Sequence, residues 1–136
     1  MGDGRRCRVD GLPLSATIFV MRINNAMAIA SSAMRVETQR LAQSAANTAN
    51  VQTPGYEAQR VDTVSLEGGG VRGETVATYG PHAVRVEEGG GTTQLSNTDL
   101  VEETVTQMSS LRAFQANVSV LRTADEMLGE LVRRRA

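Results

Sequence analysis

From Ile23 to Ala49 the apolar residues recur at a spacing that a helix gathers onto one side. Ile23, Met27, Ala30, Met34, Leu41 and Ala45 step by 4, 3, 4, 7 and 4, a stripe with a period near 3.5 residues. Glu37 and Thr38 stand where a further stripe residue would fall, and Arg35, Glu37, Gln39, Arg40 and Gln43 suit the wet side. The run holds no Pro or Gly, so it predicts one uninterrupted helix of about 40 Å at about 1.5 Å rise per residue. Its many Ala residues would let a partner helix approach closely.

The pattern returns at the far end. Leu111, Phe114, Val118, Leu121, Leu128 and Val132 step by 3, 4, 3, 7 and 4, with Val101, Val105 and Met108 extending the apolar surface upstream. Ser96-Asn97-Thr98-Asp99 offers N-cap oxygens, and Asp99, Glu102 and Glu103 put negative charge at the positive end of the helix dipole. Asp125 occupies the skipped stripe position, and Arg133, Arg134 and Arg135 suit the negative end.

Between the helices the character changes. Asn47 and Asn50 are poor in a helix interior and tolerate the left-handed conformation that ends helices. Thr53 precedes Pro54 and is pushed extended. Pro54-Gly55 fits the central positions of a type II turn, with Tyr56 as its anchor. Residues 57–95 carry two triplets, Gly68-Gly69-Gly70 and Gly89-Gly90-Gly91, around a Val- and Thr-rich segment. Val71–Thr78 and Ala83–Glu87 read as two short strands with Gly80-Pro81 as punctuation, a hairpin that is marginal without something to pack on.

The fold expected is therefore mainly α. Long N- and C-terminal helices pair as an antiparallel coiled coil, with a small Gly-rich β insert between them. The parts expected are a tail at 1–20, an N-terminal helix and turn at 21–56, the insert at 57–95 and a C-terminal helix at 96–136. The first twenty residues join basic residues to a weakly apolar run that carries Asp10 and Pro13, a poor signal peptide. Helical spacing begins at Met21, which suggests that residues 1–20 are a disordered tail or a mis-annotated start.

Composition narrows the chemistry. The 136 residues are 40% hydrophobic but only 3% aromatic, with a net charge of −1 and arginine as the sole basic residue type apart from His82. Ala, Val, Leu and Met suit helix seams better than a thick core, and the near-neutral balance does not point to nucleic acid. Cys7 alone cannot build a disulfide framework. His82 stands alone in a Gly/Pro-flanked loop, where a solvated side chain is expected, with no second ligand spaced for a metal. Neither Gly triplet feeds a Lys-Ser/Thr helix start, so nucleotide binding is not expected. No Ser, Cys or carboxylate pairs with a His in a catalytic arrangement. No stretch reaches the roughly 18 apolar residues of a membrane span, and the polar helix faces are mixed in charge, unlike a membrane-surface helix. No cofactor, metal or small-molecule substrate is expected.

Residues 41–56, LAQSAANTANVQTPGY, resemble the N-terminal signature of flagellar basal-body rod and hook proteins, in which a helix ends in Asn-x-x-Asn followed by Thr-Pro-Gly-Tyr. The run SNTDLVEETVTQMSSLRAFQANVSVLRTADEML is similar to that family's C-terminal helix, from its Asp-Leu-Val-Glu-Glu opening to its Thr-Ala-Asp-Glu-Met-Leu end. Only about forty residues separate the two motifs, which is most like the short proximal-rod C type, although the Gly-rich insert matches no motif of it.

The resemblance implies a structural protein without enzymatic activity. Its terminal helices would pack with identical subunits and other rod proteins into a periplasm-spanning tube that transmits torque. The flagellar type III export apparatus would export it without a cleaved signal peptide. The residues expected to carry assembly are Ile23, Met27, Met34, Leu41, Asn47, Asn50, Pro54, Gly55, Tyr56, Leu111, Phe114, Asn117, Val118, Leu121 and Leu128. A cytoplasmic helical-hairpin adaptor, or a diverged rod paralogue acting through coiled-coil contacts, is the alternative.

Overall fold

The computed structural model describes residues 14–133 of the chain. Cys7, most of the 1–20 tail, Arg134 and Arg135 lie outside the described residues. Two long helices, α1 (Leu14–Ala49) and α2 (Leu100–Arg133), flank four short strands: β1 (Gln59–Ser65), β2 (Val71–Ala77), β3 (Val84–Val86) and β4 (Thr92–Gln94). Residues 14–20, expected to belong to the tail, are the first two turns of α1. Leu-Ser-Ala-Thr-Ile-Phe-Val contains no helix breaker after Pro13, and proline is tolerated ahead of a first turn.

The helices lie side by side, and their contacts run in opposite order. Thr48 and Ser44 meet Gln107 and Glu103. Met34 and Thr38 lie beside Phe114 and Leu121, and Ile23 and Ala26 beside Thr123, Ala124 and Met127. The inward line of α2 runs through Glu103, Gln107, Ser110, Phe114, Asn117, Leu121, Ala124, Leu128 and Leu131, each buried or half-buried. These positions alternate steps of 4 and 3, the spacing that keeps one stripe facing a partner.

The observed seam is rotated from the apolar stripes. On α1, Ile23, Met27, Ala30 and Met34 face inward, but the line continues through Glu37, Ser44 and Asn47, leaving Leu41 and Ala45 exposed. On α2, Leu111 and Val132 are exposed, as are Val101, Val105 and Met108. The half of the seam near the β insert is polar because hydroxyl and amide groups there bond across the interface, and an apolar stripe would leave them unpaired. Arg40 and Glu37, expected on the wet side, are half-buried. Arg40 donates to Glu37 Oε1 at 3.0 Å, Val61 O at 3.1 Å and Thr63 Oγ1 at 2.6 Å.

The insert is two antiparallel hairpins, not one. β1 pairs with β2, with Ser65 opposite Val71 and Gln59 opposite Ala77, and β3 pairs with β4, with Val86 opposite Thr92. The Gly triplets are the two hairpin turns, and Gly80-Pro81 lies in the link between hairpins. Both turns close alike: Leu66 N–H donates to Gly70 O and Gly69 N–H to Leu66 O, while Glu87 N–H donates to Gly91 O and Gly90 N–H to Glu87 O. Each uses two glycines at positive φ: +89° and +90° at Gly69 and Gly70, +131° and +84° at Gly89 and Gly90. L-residues with a Cβ resist that region. The β1–β2 hairpin lies on α1, whereas among the described residues no helix packs against β3–β4.

Candidate functional site

The structure gathers its polar contacts where α1, β1 and α2 meet, and Asn47 is the centre. Its side chain is 2% exposed. Nδ2 donates to Gln59 O at 2.7 Å and to Glu103 Oε1 at 2.6 Å. Oδ1 accepts from Gln59 N–H at 3.1 Å, from the Tyr56 hydroxyl at 3.1 Å and from Gln43 Nε2 at 3.4 Å. One amide thus takes both backbone groups of Gln59, as a neighbouring strand would, and holds the first turn of α2. Asn47 has a right-handed helical backbone, because the described residues include no positive-φ residue other than glycine. Its predicted role as a left-handed helix terminator is corrected: it acts through its side chain.

Asn50 also keeps φ negative. It ends α1 by donating from Nδ2 to Ala46 O at 2.9 Å and accepting from the Thr53 hydroxyl, satisfying a last-turn carbonyl that helices leave unpaired. The turn that follows is closed by Tyr56 N–H to Thr53 O at 3.2 Å, with Gly55 at φ +69°. This is the type II pattern, with glycine at its second central position. Pro54 and Gly55 are exposed and Tyr56 half-buried. Gly55 N–H reaches Gln94 O at 2.9 Å, so the turn also holds the outer hairpin.

Asn97 is a second hub that residue types alone gave no reason to choose beyond capping. Its Oδ1 accepts from Ala58 N–H at 2.7 Å and its Nδ2 donates to Thr78 O at 2.7 Å. Ala58 and Thr78 are the next pair of the β1–β2 ladder, where Thr78 N–H donates to Ala58 O. The Asn97 amide sits inside that pair and takes the bond the two backbones would otherwise share. The signal in the sequence was an Asn two residues before Asp99, the residue that caps α2: Asp99 Oδ1 accepts from Val101 N–H at 2.8 Å.

His82 is half-buried, and its Nδ1 lies 2.7 Å from Leu95 O. The expectation of a solvated ring is corrected: the ring ties the hairpin link to the strand leading into α2. A polar recess of about 370 Å³ beside the hub is lined by Arg40, Ser44, Gln59, Arg60, Glu102 and Glu103, among others. Arg60 is held above its ordinary value by its hydrogen bond to Asp62 and by that residue's charge, so it stays cationic. Among the described residues no group of His, Cys, Asp or Glu is arranged to hold a metal ion. No helix there is long and apolar enough to cross a membrane.

The residues expected to carry assembly therefore divide. Ile23 is buried, and Met27, Met34, Phe114, Asn117, Val118, Leu121 and Leu128 are half-buried between the helices or at their edge. Asn47, Asn50 and Tyr56 lock the helix end. Leu41 and Leu111 face away from the seam, 39% and 51% exposed.

Comparison with known proteins covers the C-terminal helix and most of the chain. Residues 90–134 match the family model described as the C-terminal region of flagellar basal body rod FlgEFG proteins. The chain is 31% identical over 126 residues to the flagellar basal-body rod protein FlgC of Escherichia coli O6:H1, covering 79% of this chain and 94% of the relative. The FlgC of Escherichia coli O157:H7 matches with the same identity and coverage. With nearly the whole length of these relatives spanned, and the terminal segments joined as one helix pair around Asn47, the chain belongs to the flagellar basal-body rod protein family and is FlgC-like.

Proposed function

We propose that this chain is a structural subunit of the bacterial flagellar basal-body rod, acting by assembly and without chemistry of its own. α1 and α2 pair as an antiparallel coiled coil, and further copies and other rod proteins pack around that pair to form the axial drive shaft. The observation that carries this reading is the apolar surface left outside the seam. Leu41, Val101, Val105, Met108, Leu111 and Val132 are all exposed on the two helices, more than an isolated helix pair would keep in water. α1 and α2 supply the helices in this reading, and residues 57–95 the contacts particular to this subunit. The chain leaves the cytoplasm through the flagellar type III apparatus without a cleaved signal peptide, and a two-helix body can unfold for passage and gain its stability on assembly.

Purified hook–basal bodies from the source organism test this by mass spectrometry. Recovery in proportion to the other rod proteins is expected. Absence with those proteins present would overturn it and favour a cytoplasmic helical-hairpin adaptor or a diverged paralogue.

A further inference from the structure

Among the described residues each hairpin leaves most of one strand edge open, that of β2 beyond Val71, whose N–H donates to Ser32 Oγ at 3.1 Å, and the two edges are complementary. In the β1–β2 ladder, Thr78 N–H bonds Ala58 O and Leu66 N–H bonds Gly70 O. The even-numbered residues of β2 therefore pair with β1, and Gly73, Thr75 and Ala77 turn their N–H and C=O outward. In the second hairpin, Glu87 N–H bonds Gly91 O and Leu95 N–H bonds Ala83 O, so Val84 and Val86 present theirs. The opposite edges are met within the chain: Asn47 and Arg40 take backbone groups of β1, and Gly55 takes Gln94 O of β4. An open edge is a template for another strand. Val84 and Val86 are also 60% and 72% exposed on a hairpin that packs on no helix.

We propose that β3 of a second copy of this chain adds antiparallel to β2, making an intermolecular sheet in the order β1–β2–β3–β4; the proposal rests on the rod reading and deepens it. Charge selects the register. With Gly73 opposite Val86 and Thr75 opposite Val84, Glu74 faces Arg85 and Arg72 faces Glu87. A shift of two residues one way sets Arg72 against Arg85, and the other way Glu74 against Glu87, and like charges directly opposite are unfavourable. Arg72 and Glu74 lie on the solvent face, in an ion pair with each other, and Arg85 makes no ion pair among the described residues. Among the described residues the Glu87 carboxylate accepts only from the Thr93 hydroxyl. In this register Val84 and Val86 turn to the face of β2 that carries Gly73 and lies over α1. Because β2 and β3 are different surfaces, the contact is head-to-tail and repeats from copy to copy, as an open helical polymer requires.

Two versions of the full chain, both Cys7→Ser, test the pairing when co-expressed in cells lacking the native gene: Thr75→Cys in one, Val84→Cys in the other. Residues in a hydrogen-bonded antiparallel pair stand about 5.5 Å apart at Cα, within the span of a disulfide. After mild oxidation, a disulfide-linked dimer containing both versions is expected in isolated basal bodies. Val71→Cys with Val84→Cys, four residues out of register, should give at least tenfold less. Arg85→Glu should reduce incorporation, and Glu74→Arg in the same chain should restore it, which a folding defect would not do. The chain recovered in basal bodies without the 75–84 link, or linked there to a different rod protein, would overturn the pairing and leave the rod reading intact. Absence of the unsubstituted chain from basal bodies would overturn both.

Discussion

Asn47 near the end of α1 donates a 2.6 Å hydrogen bond to the carboxylate of Glu103 in the first turn of α2. The two residues are 56 positions apart, and the bond is made by a side chain only 2% exposed. It joins the helices at the point where the chain leaves α1 and where it enters α2, with the whole β insert looped out between. Because the same amide holds both backbone groups of Gln59, the helix pair and the inner hairpin share one lock.

Replacing Asn47 by Leu should cost about 2–4 kcal/mol of stability, because buried partners on Gln59 and Glu103 lose their bonds together. Urea unfolding followed by circular dichroism checks this. Asn47→Asp should be at least as damaging, since it sets a second carboxylate against Glu103. Adding Glu103→Gln returns a donor to the pair, so the double variant should recover about 1 kcal/mol or more relative to additive losses. Strict additivity would mean that the bond does not couple the helices.

The seam and its flank should separate folding from assembly. Phe114→Asp and Leu121→Asp bury a charge between the helices and should lower the melting temperature of the isolated chain. Leu111→Asp adds a charge to a residue already 51% exposed, and surface changes of that kind stay within about 0.5 kcal/mol. It should fold normally yet fail to enter basal bodies. Thermal melts set beside a motility assay decide it; normal swimming with Leu111→Asp would remove this face from the assembly surface.

Asn97→Ala should release the start of the β1–β2 ladder. Ala58 N–H and Thr78 O would lose the side chain that bridges them, at a cost of about 1–3 kcal/mol. Amide hydrogen exchange should speed up at Ala58 and Thr78 while the middle of α1 keeps its protection.

Positions within the Gly68-Gly69-Gly70 triplet should tolerate substitution unequally. A Cβ at Gly70 would meet the Ser32 hydroxyl at 2.8 Å on a backbone at φ +90°, and the left-handed region alone costs about 1–2 kcal/mol for a residue with a Cβ. Gly68→Ala enters open space with no positive φ and should be neutral. Comparing denaturation midpoints of the two variants checks this.

The sequence by itself determined the elements whose causes are local. Stripe spacing marks both helices, Pro54-Gly55 marks the turn, Asp99 marks the start of α2, and glycine marks where the insert bends. These follow from backbone sterics and helix periodicity, which act within a few residues. Tertiary structure decided which side of each stripe became the seam, because Ser44, Asn47, Glu103 and Gln107 satisfy one another only once the helices are side by side. It also decided strand pairing: each triplet joins the strands before and after it, so β1 and β4, with weaker strand signals, were recruited by their partners. Asn47 and Asn97 belong to this second class. An Asn near a helix end reads as a terminator or a cap until a strand from elsewhere in the chain arrives with an N–H and a C=O for its amide to take.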